Sequence, residues 1–513
     1  MCQVDEDFRD QLERVAVPSV SKKCVKCKET TASVAIRAGD TYCRGCFKEY
    51  FVHKFRAMLG KNRIIFPGEK VLLAVSGGPS SCSMLRQVEE GLSKNAHNKL
   101  RFLPGIVYID EGGALGQSIE ERQRTVAELH TVFKATCLPF HIVPLEQVLD
   151  LPSSVLATGP PALERPASTY KAAVGHFIQS DSSNCLSTAE QKETSLPEVE
   201  GSRTQLLQQL IGSASTLTAK EDLLNTLRHH LLVHTARTEG YSKVMLGDSC
   251  TRLAVKLLTS VSLGRGAQLA QDTGFSDSRY GDIILVRPMR DYSAKEIAFY
   301  NHMFKVPSVF VPSLETKTPE KASIQRLTEG FITKLQADFP STVSIIYRTG
   351  EKLQTACKSS STTDHCDRCL LCMCALDTAV DDASAFNMTL ISEQLSQIKS
   401  SGNTNTEIQR QNPAQVKPEL NPPSGQCCSS SSGGGEDCGR AASGVGCCSS
   451  AKVKETPILK SLLCYSCRLT VKDMSSLDHL PLYILSDAQR RQRRSQMREE
   501  IGEFLLDDGD DGD

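Results

Sequence analysis

Short apolar runs alternate with longer amphipathic stretches through most of the chain. The apolar runs predict buried parallel strands at residues 70–75, 102–110, 139–144, 243–246 and 283–286. The amphipathic stretches predict helices that end near residue 94, at 118–136, at 205–239 with an interruption near 213–217, from about 251, and at 293–304. Ser118 and Glu121 add a capping-box signature to the second of these helices. This β-α-β-α-β order predicts an α/β fold with a doubly wound parallel sheet.

Changes in composition divide the chain into segments. They predict an N-terminal zinc-binding element at 1–63, an α/β domain at 64–350 with an insertion at about 151–203, a C-terminal zinc-binding element at 351–394 and 455–506, a disordered low-complexity insert at 395–454, and an acidic tail at 507–513.

Overall composition narrows the class of protein only slightly. Lys and Arg total 59 against 60 Asp and Glu, so contact with nucleic acid has to come from a local patch. Tryptophan is absent, which disfavours a stacking platform for single-stranded RNA. The chain has no apolar run of about 18 residues and no signal-like N-terminus, so we expect a cytoplasmic protein without a membrane span. In such a protein, 21 cysteines indicate metal binding more than disulfides.

The first cysteine cluster has a spacing typical of a zinc site. Cys24, Cys27, Cys43 and Cys46 form the pattern C-x2-C-x15-C-x2-C. Two C-x-x-C turns can surround one ion tetrahedrally, and four protein ligands make such a site structural. Helix 47–61 follows and is basic, and its cations form either a phosphate-facing patch or an ordinary solvated face.

A second zinc site is predicted from C-x-x-C turns that are far apart in the chain. Its expected ligands are Cys366, Cys369, Cys464 and Cys467. About 90 residues separate the two turns, but the entropic cost of closing a loop grows only slowly with its length. Cys372 and Cys374 compete for the same ion or are small buried residues.

A glycine-containing loop follows the first predicted strand of the α/β domain. The loop and the start of the next helix comprise Ser76, Gly77, Gly78, Ser80 and Ser81. Backbone N–H groups, a hydroxyl and a helix N-terminus can converge there on one phosphate. The loop has neither the Walker A nor the G-x-G-x-x-G pattern.

Ala74–Ser81 resembles the S-G-G-x-D-S loop of the PP-loop ATP pyrophosphatases, which adenylate a substrate and release pyrophosphate. The order of the remaining motifs is similar to the tRNA 2-thiolation branch, above all to the eukaryotic cytoplasmic tRNA 2-thiolation protein 2 family. Those motifs are the zinc element, Val107–Asp110, Leu246–Asp248, Arg287–Met289 and the C-terminal C-x-x-C pair. The likeness covers about residues 20–375 and 455–480.

Three departures from the thiolase pattern concern catalysis. Ser80 occupies the acidic position of the loop. The stretch that matches a G-H-N-A-D-D-like turn is 247–252, where Thr251 and Arg252 replace the paired acids. Residues 138–245 contain one cysteine, Cys185, where active relatives carry several for sulfur transfer or an iron–sulfur cluster.

The resemblance therefore implies an accessory subunit of a tRNA wobble-uridine thiolase. It implies a heterodimer with cytoplasmic tRNA 2-thiolation protein 1 as the catalytic, ATP-binding paralogue. It further implies tRNA Lys, Glu and Gln as substrates, a thiocarboxylated ubiquitin-related modifier as sulfur donor, and structural zinc. Two alternatives stay open: an ATP-dependent thiolase active on its own, and a non-enzymatic zinc-binding adaptor.

Overall fold

A computed structural model describes most of the α/β region and both cysteine-bearing regions. The described residues are 23–157 without 38, 94–95 and 97–98; 170 and 173–174; 200–353 without 315 and 317; 368–376; and 459–502. The predicted disordered insert, the acidic tail and most of the insertion after residue 157 lie outside these ranges.

A six-stranded sheet forms the centre of the protein, in the order β5-β4-β3-β6-β8-β7. Its strands are β3 (Lys70–Ala74), β4 (Leu103–Asp110), β5 (Phe140–Pro144), β6 (Lys243–Leu246), β7 (Ser276–Asp277) and β8 (Ile284–Val286). Five strands are parallel, and β7 pairs antiparallel with β8 at one edge. The chain leaves β3 in one direction and returns to its other side as β6, so the topological switch point lies between β3 and β6.

Helices cover both faces of the sheet. They are α1 (Arg44–Asn62), α2 (Pro79–Leu92), α3 (Ile119–Ala135), α4 (Gly201–Ser213), α5 (Leu217–Thr238), α6 (Cys250–Ser262), α7 (Leu269–Thr273) and α8 (Ala294–Phe304). The predicted capping box of Ser118 and Glu121 is present, and α4 and α5 are interrupted as expected. The sequence therefore predicted the doubly wound α/β fold, apart from the antiparallel edge strand.

The N-terminal element packs into the core of the α/β region. A small hairpin of β1 (Val34–Arg37) and β2 (Asp40–Tyr42) leads into α1. Phe51 of α1 stacks on Tyr300 of α8, with ring centroids 3.9 Å apart and an interplanar angle of 8°. The Tyr292 hydroxyl donates to the Phe51 carbonyl at 2.5 Å. These contacts fix one long side of α1 against the domain.

Four further helices complete the described structure. They are α9 (Ile324–Asp338), α10 (Pro340–Lys352), α11 (Tyr465–Lys472) and α12 (Leu482–Gly502). Helices α9 and α10 pack on α6 around Ile332, Val343 and Tyr347, which the apolar pattern did not reveal. None of the described helices is long and apolar enough to cross a membrane.

Candidate functional site

The predicted phosphate loop lies at the topological switch point of the sheet. Residues 76–78 leave the carboxyl end of β3, and Gly78 is the N-cap of α2. In open α/β sheets this crevice is where ligands bind. The sequence therefore predicted correctly that the loop lies between a strand and a helix. Whether the loop can bind a phosphate depends on the residues around it.

Gly77 is held in a conformation that needs glycine. Its φ is +81°, and a Cβ there would lie 3.1 Å from Leu129 Cδ2 and 3.2 Å from Val311 Cγ2. Its carbonyl accepts a hydrogen bond from the Val309 amide at 2.9 Å. Side chains from α3 and from the segment after α8 thus pack directly against the loop.

The acidic position of the loop has become part of an internal contact. The Ser80 hydroxyl donates a hydrogen bond to the carbonyl of Gly247, which follows β6. Gly247 also sits tightly on the start of α2, since a Cβ there would lie 2.9 Å from Ser81 Cα. Pro79 is the first residue of α2 and has no N–H to offer a phosphate. The loop therefore retains its shape, but it lacks a carboxylate and one backbone donor.

Residues 247–252, which match the G-H-N-A-D-D-like turn, make packing contacts with neighbouring helices in this chain. Ser249 caps α6 by accepting a hydrogen bond from the Arg252 amide at 3.3 Å. The Thr251 hydroxyl donates to Gln336 of α9 at 2.9 Å and accepts from the Ala294 amide at 3.1 Å. Thr251 of α6 therefore connects that helix to α8 and α9.

Beside this motif, three cations and three carboxylates form one ionic network. Its members, in order of contact, are Lys256, Asp272, Arg279, Asp277, Arg287 and Asp248. Arg287 is fully buried, with Nε 3.4 Å from Asp248 Oδ2 and Nη2 3.6 Å from Asp277 Oδ2. Arg252, whose Nε lies 3.8 Å from Asp248 Oδ1, adds a fourth cation at the edge of this network, so four positive charges face three negative ones.

The network keeps its carboxylates ionised although they are buried. Burial alone would raise the pKa of Asp248, but Lys256 and Arg287 hold that pKa below its usual value. Burial also opposes ionisation of Asp272, and Arg279 and Lys256 more than offset that effect on its pKa. These acids are committed to internal ion pairs.

The first four predicted metal ligands come together. The Sγ atoms of Cys24, Cys27, Cys43 and Cys46 all lie within 4.8 Å of one another. Cys43 is the N-cap of α1, and Cys46 lies in the first turn of that helix. The Thr30 hydroxyl, 3.1 Å from Cys27 Sγ, lowers the pKa of that thiol to about 6.

The second tetrad comprises Cys369, Cys372, Cys464 and Cys467, again with all Sγ atoms within 4.8 Å. Cys369, Cys464 and Cys467 were predicted as ligands and Cys372 as a competitor for the ion, whereas Cys366 lies outside the described residues. Cys369 and Cys372 belong to a tight turn in which the Cys369 amide donates to the Cys374 carbonyl at 2.8 Å and the Met373 amide donates to the Cys369 carbonyl at 3.0 Å. This turn brings Cys369 and Cys372 to the same side.

Both tetrads have the same design. Each combines a C-x-x-C turn with a second C-x-x-C that begins a helix, since Cys464 is the N-cap of α11 and Cys467 lies in its first turn. Tetrahedral zinc–thiolate bonds of about 2.3 Å place sulfur atoms about 3.8 Å apart. The measured Sγ–Sγ distances are 4.0 Å for Cys27–Cys43 and 3.6 Å for Cys372–Cys464. Each tetrad could therefore hold one metal ion with zinc-like dimensions.

A buried histidine of α5 connects the turn that carries Cys369 and Cys372 to the C-terminal helix α12. His230 of α5 is fully buried between the Leu371 carbonyl, 2.8 Å from Nε2, and the Tyr483 hydroxyl, 2.7 Å from Nδ1. The carbonyl requires the proton on Nε2, so Nδ1 accepts from Tyr483. Burial lowers the pKa of His230 to about 4 and keeps the ring neutral.

The remaining cysteines do not form a third tetrad among the described residues. Cys82 and Cys250 are buried, and burial raises the pKa of each thiol to about 11. Cys137 is exposed. Cys185 and Cys357 lie outside the described residues.

The switch-point loop, its strand order and the flanking motifs define an α/β protein of the PP-loop ATP pyrophosphatase type, with Ser80 at the acidic position of the loop. A family model described as cytoplasmic tRNA 2-thiolation protein 2 matches residues 323–469. Proteins of that name are 53% identical in Danio rerio, over 100% of both chains, and 49% identical in Homo sapiens, over 100% of this chain and 99% of the relative. The chain therefore belongs to the cytoplasmic tRNA 2-thiolation protein 2 family.

Among solved structures, the chain is similar to the U34-tRNA thiolase NcsA from Methanococcus maripaludis with its 4Fe-4S cluster. The TM-score is 0.44 at 15% identity, covering 75% of this chain and 98% of the other. An NH3-dependent NAD synthetase from Campylobacter jejuni matches with a TM-score of 0.25 at 12% identity, over 60% and 93% of the two chains.

Proposed function

We propose that this chain is a subunit of the cytoplasmic tRNA wobble-uridine 2-thiolation complex and leaves the ATP chemistry to a partner. Membership of the cytoplasmic tRNA 2-thiolation protein 2 family supports a role in tRNA 2-thiolation. The observation that carries the accessory role is Ser80, which stands at the acidic position of the loop and whose hydroxyl is bonded to the Gly247 carbonyl. Without that carboxylate, the loop lacks an acidic ligand for the cation of a metal-bound triphosphate.

The partner in this proposal is cytoplasmic tRNA 2-thiolation protein 1, a catalytic PP-loop paralogue that binds ATP. That subunit adenylates the uracil oxygen at C2, and a sulfur nucleophile then displaces AMP. The sulfur comes from a thiocarboxylated ubiquitin-related modifier, and the substrates are tRNA Lys, Glu and Gln. The chain described here contributes scaffold and tRNA-holding surfaces to the heterodimer.

Zinc is the metal proposed for both tetrads. Four thiolates and no open ligand position favour a structural ion over a catalytic one. At the first tetrad the ion would fix the start of α1, and at the second it would hold residues 369–372 against α11. Neither ion takes part in the sulfur transfer.

Reconstitution from purified subunits tests this proposal. The chain alone, the paralogue alone and the pair are supplied with ATP, tRNA and the thiocarboxylated modifier, and both AMP and 2-thiouridine are measured. We expect full 2-thiouridine formation with the pair and no AMP formation by the chain alone. AMP formation by the isolated chain that Gly77→Ala abolishes would instead establish an active thiolase. Full activity of the paralogue alone would leave only the adaptor alternative.

A further inference from the structure

Helix α1 has two faces with different environments. Phe47, Phe51, Phe55 and Met58 form the buried face. The other face borders a groove of about 1120 Å³, whose opposite wall is formed by residues 65–67 and 99–102. This space is called the α1 groove below. Its lining includes no residue of the switch-point loop and none of the eight tetrad cysteines.

The α1 groove carries a local excess of positive charge. Five Lys and Arg side chains and one histidine line it, against two carboxylates. The cations are Arg44, Lys48, Arg56, Lys99 and Arg101, joined by the exposed His53. In a chain with a net charge of −1, this excess is a property of the groove and not of the whole surface.

Both carboxylates in the groove are already paired. Glu49 lies 2.6 Å from Lys26 Nζ. Glu90 lies 3.0 Å from Arg86 Nε and 3.4 Å from Lys48 Nζ. Lys26 and Arg86 stand outside the groove lining, so the negative charges in the lining are compensated largely from outside it. The lining of the groove therefore holds more cations than carboxylates.

Aromatic rings lie among these cations. Phe304 is contacted by Arg44 and Lys48, whose charged groups lie 5.5 Å and 5.6 Å from the ring centroid. Phe66, which follows the end of α1, packs against Tyr170 with centroids 5.5 Å apart. Cations together with accessible ring surfaces fit a polymer of phosphates and bases better than they fit an acidic peptide, which has no bases to stack.

We infer that the α1 groove binds the sugar–phosphate backbone of tRNA, an inference that rests on the proposed function. Arg44 and Gly45 line the groove and are also the two residues between the ligands Cys43 and Cys46. The first metal site therefore sets the position of one end of the groove. Of the basic residues predicted around α1, Lys48, His53 and Arg56 face this groove, whereas Lys54 is paired with Glu296 at 2.8 Å.

Fluorescence anisotropy with labelled tRNA Lys and the zinc-loaded full-length chain tests the inference. The groove variant is Lys48→Gln, Arg56→Gln and Arg101→Gln combined. The matched control removes the same charge from exposed positions elsewhere, with Arg124→Gln, Lys134→Gln and Lys334→Gln. If each groove cation neutralises one phosphate, tRNA affinity falls by about tenfold or more and the salt dependence weakens by about two to three in slope.

The control variant is expected to bind tRNA as the wild type does. Equal losses in the two variants, or no loss in either, would overturn the inference. A groove variant that keeps tRNA affinity but loses association with the paralogue would also overturn it and would assign the groove to a protein. Failure of the triple variant to bind two metal ions would indicate that it is misfolded, and the single variant Arg101→Gln then replaces it. Arg101 lies on the wall opposite α1, and its substitution is expected to lower tRNA affinity by about three- to fourfold.

This test is separate from that of the proposed function. Normal 2-thiouridine in cells without the chain, together with weakened tRNA binding by the groove variant, would reject the proposed function but support tRNA binding by the α1 groove. Loss of 2-thiouridine in cells without the chain, together with unchanged tRNA binding by the groove variant, would support the proposed function but reject tRNA binding by the α1 groove.

Discussion

The hydroxyl of Ser80 donates a hydrogen bond to the carbonyl of Gly247 and thereby joins the start of α2 to the end of β6. The two segments flank the topological switch point, where an acid would be expected in an active PP-loop enzyme. The Ser80 side chain is therefore engaged in a contact between two segments of the α/β region.

Ser80→Asp is expected to destabilise the protein without creating ATP chemistry. The new carboxylate would face the Gly247 carbonyl, so repulsion and desolvation should cost about 1–3 kcal/mol of unfolding free energy. Ser80→Ala, the control, should cost about 1 kcal/mol because it only leaves the carbonyl unpaired. Denaturant unfolding and pyrophosphate release measure the two effects. Pyrophosphate release by Ser80→Asp would show that the remaining site is still competent.

Gly77→Ala and Gly78→Ala form a matched pair in the same loop. Gly77 has a positive φ and a crowded surrounding, whereas a Cβ on Gly78 would meet only Ser76 Oγ, at 3.7 Å. We expect Gly77→Ala to lower the unfolding free energy by about 1–3 kcal/mol and Gly78→Ala to change it by less than about 1 kcal/mol. Chemical denaturation compares them. Equal stability of the two variants would contradict the packing described around Gly77.

Metal analysis distinguishes the ligands of the second tetrad. The wild-type chain should bind two zinc ions, and Cys372→Ser should bind one, because a three-thiolate set holds the ion far more weakly. Cys366→Ser should still bind two. Elemental analysis of the purified chains gives the count. Loss of an ion from Cys366→Ser and not from Cys372→Ser would restore the ligand set expected from sequence.

Acid should loosen the attachment of the C-terminal segment to α5. The pKa of His230 is about 4 in the folded chain against an ordinary value of 6.5, so the unfolded chain binds the proton first as the pH falls. The stability that His230 contributes is complete above about pH 6.5 and is lost progressively toward pH 4, by about 3 kcal/mol. His230→Gln keeps a donor for the Leu371 carbonyl and removes this titration.

Unfolding curves of the wild type and His230→Gln between pH 7 and pH 4 check that assignment. Acid also protonates the metal-binding thiolates in both proteins, so the difference between the two curves is the relevant quantity. The wild type should lose more stability than the variant over this interval. Parallel curves would show that His230 does not carry the effect.

The sheet could be predicted closely from sequence, because buried parallel strands are continuous apolar runs. Strand β6, for example, has the predicted bounds of 243–246. Helix α9 also carries a sequence signal, because Leu327, Phe331 and Leu335 recur at helical spacing, but this apolar stripe is largely exposed and does not mark the buried face. Leu327 is 55% exposed and Phe331 54% exposed on α9.

The candidate functional site could be predicted only in part, because some of its contacts join residues that are far apart in the sequence. Cys366–Cys369 and Cys369–Cys372 are both C-x-x-C pairs, so spacing alone left both open, and it is the turn that closes on Cys374 that brings Cys372 into the tetrad of the described residues. The ionic network could not be foreseen either, since residues scattered between 248 and 287 meet only after the sheet forms. The internal use of Ser80 likewise depends on its distant partner, Gly247.

The central claim, that tRNA 2-thiolation requires this chain, is tested most directly by removing it from cells and quantifying 2-thiouridine in bulk tRNA by mass spectrometry. The account predicts that 2-thiouridine is lost, and that wild-type chain and a Ser76→Ala variant of the loop both restore it. Unchanged 2-thiouridine in cells without the chain would contradict the account.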